Sequence, residues 1–325
     1  MGGLVRAMRQ RLPFPRPATT PPVADTSADE VRAEMAGMSI AQRETMTVVA
    51  EQIAMNEQLR ARLSDLEWRL EATHVAAEVL ATVSWIRRSD VDSDALVSVI
   101  MPTLDRRAYL ERAIESVRCQ SHQRLEIVVV DDGSTDSTQE YLAGIDDHRV
   151  RVLCHDSNLG AAAARNTGLD HASGDLIVHL DSDNFFDPDW VRSVVWAFTS
   201  FPERHHLYGV RVFDDIVRAH DPSKRGLPSL QLLPWDTEAV RQNNRVDMNV
   251  LAHRRTPLRF DVETWTFEDW DFLLQLMERY GEPLRLPALA AYYTTDAPNR
   301  MMQRDPDQIV ESMERVRQRW ERRDR

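Results

Sequence analysis

The chain has 325 residues, a length that suggests one large catalytic domain with an additional segment. Its residues are 42% hydrophobic and 28% charged, and no run approaches the roughly 18 apolar residues that a membrane span requires. The formal net charge of -12 argues against a general nucleic-acid binder, because neutralising phosphates requires an excess of Lys and Arg.

Residues 1–38 are rich in Pro and Ala and lack a sustained period, which predicts a disordered arm. The first sixteen residues mix apolar side chains with arginines, so peripheral contact with a membrane surface is an alternative to a solvated tail. A long apolar core and a small-residue cleavage site are missing, and no secretory signal is predicted. We therefore expect a cytoplasmic protein, with contact at the inner face of the membrane as the alternative.

Residues 39–90 are predicted to form one long helix, since the segment up to Arg88 contains no Gly or Pro and is dominated by helix formers. A heptad register gives it a short coiled-coil seam of a and d positions: Val49, Asn56, Leu59, Leu63, Leu66, Leu70, Ala77 and Leu80. An Asn at an a position can fix register and oligomeric state, so Asn56 fits a dimer or trimer. Gln52 and Thr73 are weak d residues, and a helix lying against its own catalytic domain is the alternative.

Residues 94–325 alternate short apolar strands with helical segments. This pattern predicts an α/β domain with a mainly parallel sheet covered by helices on both faces. The predicted strands are 97–101, 125–130, 150–153 and 176–180, and the predicted helices are 106–120, 135–143, 160–171 and 306–323. The only two cysteines, Cys119 and Cys154, are expected to be reduced core thiols.

Three polar groups follow predicted strands: Pro102-Thr103, then Asp131-Asp132-Gly133-Ser134, then Asp181-Ser182-Asp183. Ligands of open α/β sheets bind beyond the carboxyl ends of the strands, so we expect these groups to share one crevice. Their carboxylates suit a ribose or base, and the amides at the next helix start suit phosphate oxygens. For the Asp132-Gly133-Ser134 segment alone, a turn with a helix cap is the alternative.

Asp181 and Asp183 flank a single residue after a strand, so both can reach one divalent cation. Carboxylate oxygens suit a hard ion such as Mg²⁺ or Mn²⁺. Such an ion can bridge the phosphates of a nucleotide-diphosphate donor and neutralise the leaving group. A pair of surface aspartates without a ligand is the alternative.

Four stretches in this order carry a resemblance: V-S-V-I-M-P-T, V-V-V-D-D-G-S-T-D, N-L-G-A-A-A-A-R-N-T-G-L and L-D-S-D. Over about Leu96 to Tyr293 the chain resembles the family 2 glycosyltransferases of the GT-A fold. The resemblance implies inverting transfer of a sugar from a nucleotide-diphosphate sugar, with UDP favoured, to a saccharide or glycoconjugate acceptor. It also implies a role in cell-surface polysaccharide or glycoconjugate synthesis, a donor half at about 96–185 and an acceptor half at about 186–300.

The resemblance assigns the nucleoside contact to Asp131 or Asp132, the ribose contact to Asp181 and the metal to Asp183. Arg165 and Asn166 would line the nucleotide pocket; a solvent-facing Arg165 is the alternative. The full implied donor site consists of Pro102, Thr103, Asp131, Asp132, Ser134, Asn158, Arg165, Asp181 and Ser182, with Asp181 and Asp183 as metal ligands.

An acidic group, Glu268-Asp269, stands where an amphipathic helix is predicted to begin. Negative charge is favourable at a helix start whatever the function, so a helix cap is one interpretation. The resemblance implies that this pair supplies the general base that deprotonates the acceptor hydroxyl, with Asp269 first and Glu268 second.

Three further expectations concern the acceptor half. The segment D-M-N-V-L-A-H-R-R resembles the strand before the acceptor-side helix and would place residues 253–255 near the cleft. A His that many family members carry late in the domain is missing, and Thr294 or Asp296 are its candidate substitutes. Residues 219–245 are predicted to form a mobile loop that shapes the acceptor pocket.

Two other functions compete with a transferase. A nucleotide-sugar pyrophosphorylase would carry a Gly-rich loop after the first strand, where this chain reads P-T-L-D-R-R. A non-catalytic assembly protein would use the coiled coil and only bind nucleotide. A dehydrogenase is disfavoured, because no G-x-G-x-x-G follows the first strand.

Overall fold

The computed structural model describes residues 40–91, 94–214, 229–264, 266–294 and 306–321. The Pro-rich arm and its membrane-surface alternative fall on residues 1–38 and lie outside these ranges. The chain divides into two compact units, 1–68 and 69–325, and the boundary falls inside one helix. Within the described ranges, no helix is both long enough and apolar enough to cross a membrane.

The helices are α1 (Ile40–Arg88), α2 (Arg107–Arg118), α3 (Thr138–Ala143), α4 (Ala161–His171), α5 (Trp190–Ser200), α6 (Thr237–Gln242), α7 (Glu268–Tyr280) and α8 (Pro306–Glu321), with a 3-10 turn at Met248–Val250. The strands are β1 (Val97–Thr103), β2 (Leu125–Asp131), β3 (Val150–Cys154), β4 (Leu176–His179), β5 (Phe185–Phe186), β6 (His206–Asp214), β7 (Ser229–Gln231), β8 (Leu251–Arg254) and β9 (Leu284–Thr294). Every predicted strand and helix occurs, with ends shifted by a few residues.

The strands form one sheet in the order β3-β2-β1-β4-β8-β6-β9-β5, with β7 paired to β6. β1 pairs in parallel with β2 and β4, and β2 with β3. β8 enters antiparallel between β4 and β6, whereas β6 and β9 are again parallel. The α/β class is confirmed, and the sheet is mixed rather than mainly parallel. The carboxyl ends of β1 to β4, β6 and β9 therefore lie at one edge, where β8 begins.

The reversed direction of β8 carries its basic residues away from that edge. Arg254 pairs with Leu176 at the start of β4, and it donates to the Phe198 carbonyl at 2.9 Å. Arg255 follows and donates to the Gly174 carbonyl at 3.1 Å. The expectation that His253, Arg254 and Arg255 lie near the cleft is therefore wrong, because it assumed that this strand runs in the same direction as β4.

The central strands are covered on both faces. Val97, Val99, Ile100 and Met101 of β1 are all fully buried, and successive side chains of a strand point to opposite faces. On α4, a Cβ added at Gly168 would lie 2.5 Å from Cγ2 of Ile100, so this helix packs close to β1. The first half of the sheet is therefore held rigidly behind the loops that follow its strands.

Both cysteines are free, as expected, but both are exposed rather than part of the core. Cys119 follows the last residue of α2, and Cys154 ends the edge strand β3. An edge strand has a neighbour on one side only, which explains why the end of β3 is less covered than β1.

The part of α1 that belongs to the second unit packs into the domain core through Val75, Val79 and Ile86. Glu78 accepts a hydrogen bond from Arg285 of β9 at 2.8 Å. The alternative of a helix lying against its own domain is thus observed for residues 75–86.

Three buried histidines lie behind the crevice edge. Nε2 of His179 is 3.1 Å from Nε2 of His253, whose Nδ1 donates to the Arg254 carbonyl at 2.8 Å. Neither ring nitrogen of His206 has a partner among the described residues. Burial lowers the pKa of His179 well below its ordinary value, that of His206 to about 3 and that of His253 to about 4. All three rings are therefore neutral at pH 7.

These lowered pKa values predict acid-sensitive stability. A buried neutral His takes up a proton on unfolding once the pH falls below its unfolded pKa near 6.5, so stability falls from there towards the folded pKa. We expect His206→Leu to gain stability relative to the parent as the pH drops from 8 to 5, by at most about 1.4 kcal/mol per pH unit below 6.5. Urea unfolding at both pH values measures this gain.

His148→Leu is the matched control, because the His148 side chain is 94% exposed. We expect it to follow the pH profile of the parent. Equal profiles for the two Leu variants would contradict a buried, neutral His206.

Candidate functional site

The loops after β1 and β2 are tied together at the crevice edge. The Asp105 carboxylate accepts hydrogen bonds from the amides of Thr135 at 2.7 Å and Asp136 at 3.2 Å. The Asp105 amide donates to the Ser134 hydroxyl at 2.9 Å. Asp105 has a left-handed φ of 49°, which Asp tolerates better than most residues. Sequence reasoning missed it, although its place in P-T-L-D-R-R beside a strand end was visible.

Asp131 and Asp132 are both buried at the end of β2, and each orders a different loop. Asp131 accepts from the Ser134 hydroxyl and from Gln139 Nε2 at 2.8 Å. Asp132 accepts from His155 Nδ1 at 2.7 Å and from the Gly160 amide at 2.8 Å. Asp132 therefore holds the turn before α4 against the end of β2.

The turn after β2 also requires a glycine. Gly133 has a φ of 80°, and a Cβ at this position would lie 2.7 Å from the Ser157 carbonyl carbon. The loops that carry Asp132 and Asn158 thus touch through their backbones. Asn158 is exposed beside them, and its Oδ1 accepts from the Gly160 amide at 3.0 Å.

Arg165 is 4% exposed and joins the loop after β4 to the start of α7. Its Nη2 lies 2.7 Å from Oδ1 of Asp181, and its Nη1 lies 2.6 Å from Oε1 of Glu268. Burial alone lowers the pKa of the guanidinium, but the two carboxylates outweigh it and the pKa is raised. The solvent-facing alternative for Arg165 is wrong. Asn166 uses both amide atoms to hold the backbone of Phe260.

The loop after β4 is anchored by residues that sequence reasoning missed. Asn249, just before β8, donates to Asp181 Oδ2 at 2.9 Å and accepts from the Asp181 amide at 2.7 Å. Asp247 Oδ1 in turn accepts from the Asn249 side chain at 2.6 Å. The only signal in the sequence was the polar D-M-N start of the segment, and the antiparallel direction of β8 is what brings it to the edge.

The described residues contain no group of three or more His, Cys, Asp or Glu side chains that could hold a metal by itself. The two oxygens of Asp181 accept from Arg165 and Asn249, and the Asp183 carboxylate lies 3.8 Å from the Arg106 guanidinium. Mg²⁺ is commonly held by one or two protein carboxylates together with substrate phosphates. Asp183 and Asp181 fit such a shared site.

The candidate substitutes for the missing His fall beside this loop or outside the described ranges. The amide of Thr294, the last residue of β9, donates to Oδ1 of Asn184 at 3.0 Å, which places Thr294 next to the Asp183 loop. Ser182, between the two aspartates, is buried. Asp296 lies outside the described residues.

Asp269 stands in the first turn of α7, after Phe267 in the left-handed conformation with φ 66°. Its Oδ2 accepts from Asn244 Nδ2 at 2.9 Å. Burial and the neighbouring charges of Glu268 and Asp247 raise the pKa of Asp269 to about 7. This carboxyl can therefore exchange a proton near neutral pH, whereas Glu268 is held by Arg165.

The last helix supports the segments around Asp269. Trp320 of α8 donates to Oδ1 of Asp271 at 2.9 Å, and Arg317 donates to the Gln242 carbonyl at 2.7 Å. Gln242 ends α6, two residues before Asn244. The orientation of Asp269 thus depends on contacts from α6 and α8.

The segment expected to be a mobile loop is ordered in its described part, which contains β7 and α6. Trp235 packs with Tyr208 at a ring distance of 5.8 Å, and its Nε1 donates to Thr237 at 3.0 Å. Residues 215–228 lie outside the described ranges, so the expectation for residues 219–228 stays a prediction.

Comparison with known proteins identifies relatives of this architecture. The model of the glycosyl transferase family 2 matches residues 98–257. An uncharacterized glycosyltransferase of Haemophilus influenzae is 45% identical over 198 residues, which cover 58% of this chain and 74% of that protein. WcaA of Escherichia coli K12, a glycosyl transferase named for colanic acid biosynthesis, is 28% identical over 200 residues, covering 60% and 70%.

Among solved structures, S. aureus TarS 1-349 in complex with UDP-GlcNAc is similar, with a TM-score of 0.52 and 20% identity. The match covers 68% of this chain and 65% of the TarS chain. This similarity confirms the GT-A type of fold that the sequence motifs predicted.

The ion pairs of the buried Arg165 with Asp181 and Glu268 predict a large contribution to stability. Removing one partner of a buried ion pair leaves an uncompensated charge, so we expect Arg165→Met to lower the free energy of unfolding by about 3–5 kcal/mol. The double variant Arg165→Met, Glu268→Gln should lose less than the sum of the two single losses. Denaturant unfolding of all four proteins measures the coupling.

Arg315→Met is the matched control, since the Arg315–Glu311 pair is 67% and 63% exposed. It should cost less than about 1 kcal/mol. Additive losses for Arg165 and Glu268 would contradict the bridge.

Proposed function

This chain belongs to glycosyltransferase family 2, and we propose that it transfers a sugar from a nucleotide-diphosphate sugar to an acceptor hydroxyl with inversion. The observation that carries this proposal is the Arg165 bridge. It places Asp181, on the loop expected to hold the donor, beside the helix start that carries Glu268 and Asp269. Donor and base are thereby brought to one crevice.

The donor would lie along the loops after β1, β2 and β4. Pro102, Thr103 and Ser134 would belong to this site, Asp131 or Asp132 would contact the nucleoside, and Asp181 would face the ribose, with Ser182 beside it. Asn158 and the amides at the start of α4 would contact the phosphate oxygens, because a helix N-terminus binds anions. Arg165 would add positive charge. UDP is the first nucleotide to test, and the similar TarS structure was solved with UDP-GlcNAc.

Asp183, with Asp181, would hold a Mn²⁺ or Mg²⁺ ion together with the donor phosphates. When bound, such an ion neutralises the charge of the leaving nucleotide diphosphate. Asp183 and Asp181 stand on the same loop after β4, with one residue between them, which supports this shared role.

Asp269 would act as the general base. The acceptor oxygen forms a bond to the anomeric carbon as the bond to the diphosphate oxygen breaks, and the acceptor proton passes to Asp269. A carboxylate whose pKa is raised to about 7 suits proton transfer near neutral pH. Glu268 is the weaker candidate, because Arg165 holds one of its oxygens. A single displacement of this kind forms no glycosyl-enzyme intermediate.

The acceptor would be a saccharide or glycoconjugate of the cell surface. The name of the similar protein WcaA refers to colanic acid biosynthesis, which supports this class of product. The acceptor would approach from the carboxyl ends of β6 and β9, which lie at the same edge of the sheet.

Thermal stabilisation by nucleotides tests the donor site. UDP with Mn²⁺ should raise the Tm more than UDP alone, GDP or dTDP, since a ligand that binds only the folded state stabilises it. Stabilisation of about 2.7 kcal/mol is expected at a ligand concentration of 100 Kd. Asp183→Asn should lose the metal-dependent part, whereas Asp94→Asn, whose side chain is 97% exposed, should keep it. No shift with any nucleotide would overturn the donor site.

The pH dependence of kcat/KM tests the base. The rate should rise with pH about tenfold per unit below an apparent pKa near 7 and then level off, because only ionised Asp269 accepts the proton. Asp269→Asn should lose 10²- to 10⁴-fold of the rate at the plateau and keep nucleotide stabilisation, which separates the base from the donor site.

Glu263→Gln, an exposed carboxyl before α7, should leave the profile unchanged. A flat profile between pH 5.5 and 8 with full activity in Asp269→Asn would exclude Asp269 as the base.

A further inference from the structure

One side of α1 is buried against the catalytic domain, and the side that carries the a and d positions is exposed. In the heptad register with Asn56 at a, Val75 falls at f and Val79 and Ile86 fall at c, and these three side chains are buried in the catalytic domain. The a and d positions lie on the opposite side of the helix. Within the part of α1 that belongs to the second unit, the side that packs on the domain is therefore not the side that carries the a and d positions.

The seam is apolar and exposed from Leu59 to Leu70, with the polar residues Gln52, Asn56 and Thr73 at the positions around this run. Leu59, Leu63, Leu66 and Leu70 are 48%, 58%, 58% and 72% exposed. Among the α1 side chains that the structure describes, eleven large hydrophobic ones are exposed, and all except Trp85 occupy a, d, e or g positions: Met46, Val48, Val49, Ile53, Met55, Leu59, Leu63, Leu66, Leu70 and Leu80. A contiguous apolar strip of this kind marks an interaction surface.

We propose that this seam binds the seam of a second copy of this chain, parallel and in register, as a two-stranded coiled coil. The apolar residues repeat every 3.5 positions, which is the repeat that two like helices share when they supercoil. The polar Asn56 at an a position meets its own counterpart only in a parallel, in-register pair. An Asn pair of this kind satisfies both side chains and fixes the register.

The area of the seam is sufficient for a stable pair. Burying one aliphatic side chain removes on the order of 80 Å² of apolar surface. The six exposed side chains at a and d of each helix would then bury on the order of 1,000 Å² in a pair, and the four at e and g would add to this, which reaches the range of a specific interface.

A membrane surface fits the same strip less well. Helices that lie on anionic lipid carry Lys and Arg beside the apolar face. Here Arg60 and Arg62 do flank the strip at e and g, but the b and c positions carry Glu51, Glu57 and Glu78, and the six Arg of residues 40–88 are offset by six Glu and one Asp. The charge pattern therefore favours a protein helix as the occupant.

The mass of the full chain in solution tests the pairing, independently of catalytic activity. Light scattering at about 50 µM should give twice the chain mass of 37.4 kDa. The double variant Leu63→Lys, Leu66→Lys should be a monomer. If nucleotide raises the Tm of the parent, the variant should show the same rise; if it does not, the variant should still show the thermal transition of the catalytic domain. Glu57→Lys, on the outer face, should remain a dimer. A monomeric parent, or a dimer that both sets of variants leave intact, would overturn the proposal.

Cysteine crosslinking tests the orientation. In a Cys119→Ser, Cys154→Ser background, Leu63→Cys should form a covalent dimer with oxidised glutathione, because an a residue faces its own counterpart in a parallel pair. Glu57→Cys should stay uncrosslinked. Crosslinking only in mixtures of Leu63→Cys with Leu66→Cys chains would show an antiparallel pair and overturn the parallel arrangement.

Discussion

The buried guanidinium of Arg165 is the constraint on which the crevice depends. It is almost fully buried, so its charge must be compensated where it lies. Asp181 and Glu268 supply that compensation from elements that are far apart in sequence. The strand-end loop and the start of α7 are therefore held together before any ligand arrives, and Asp269 takes its place as the next residue after Glu268.

The raised pKa of Asp269 follows from the same arrangement. Its neighbours are carboxylates that are already paired elsewhere, so its own ionised form is penalised by burial and by their charge. Asn244 gives it one hydrogen bond, and α8 holds the neighbouring segments of α6 and α7. The polar network at the start of α7 thus raises the pKa of Asp269, which would stay at its ordinary value in a helix-capping Asp exposed to water.

Much of the fold could be predicted from local patterns. The continuous apolar run of β2 and the Asp-Asp-Gly-Ser turn after it are short-range signals, and both the strand and the turn occur where they were expected. The pairing of carboxylates with loop amides could not be predicted, because Asp132 reaches Gly160 only after α3 and β3 have folded back. Asp105, Asn244 and Asn249 were missed for the same reason, since a local signal such as a polar residue beside a strand end does not show which distant residue it will bind.

The sequence by itself determined the α/β class, the family, the strand-end aspartates and the seam of α1, because each depends on residue type and spacing along the chain. The tertiary structure decided the direction of β8, which removed the basic residues 253–255 from the crevice and brought Asn249 into it. It also decided which side of α1 packs on the domain and that Arg165 is buried between two carboxylates. Strand direction, burial and ion pairing arise from contacts between distant segments, and such contacts leave no periodic pattern in the chain.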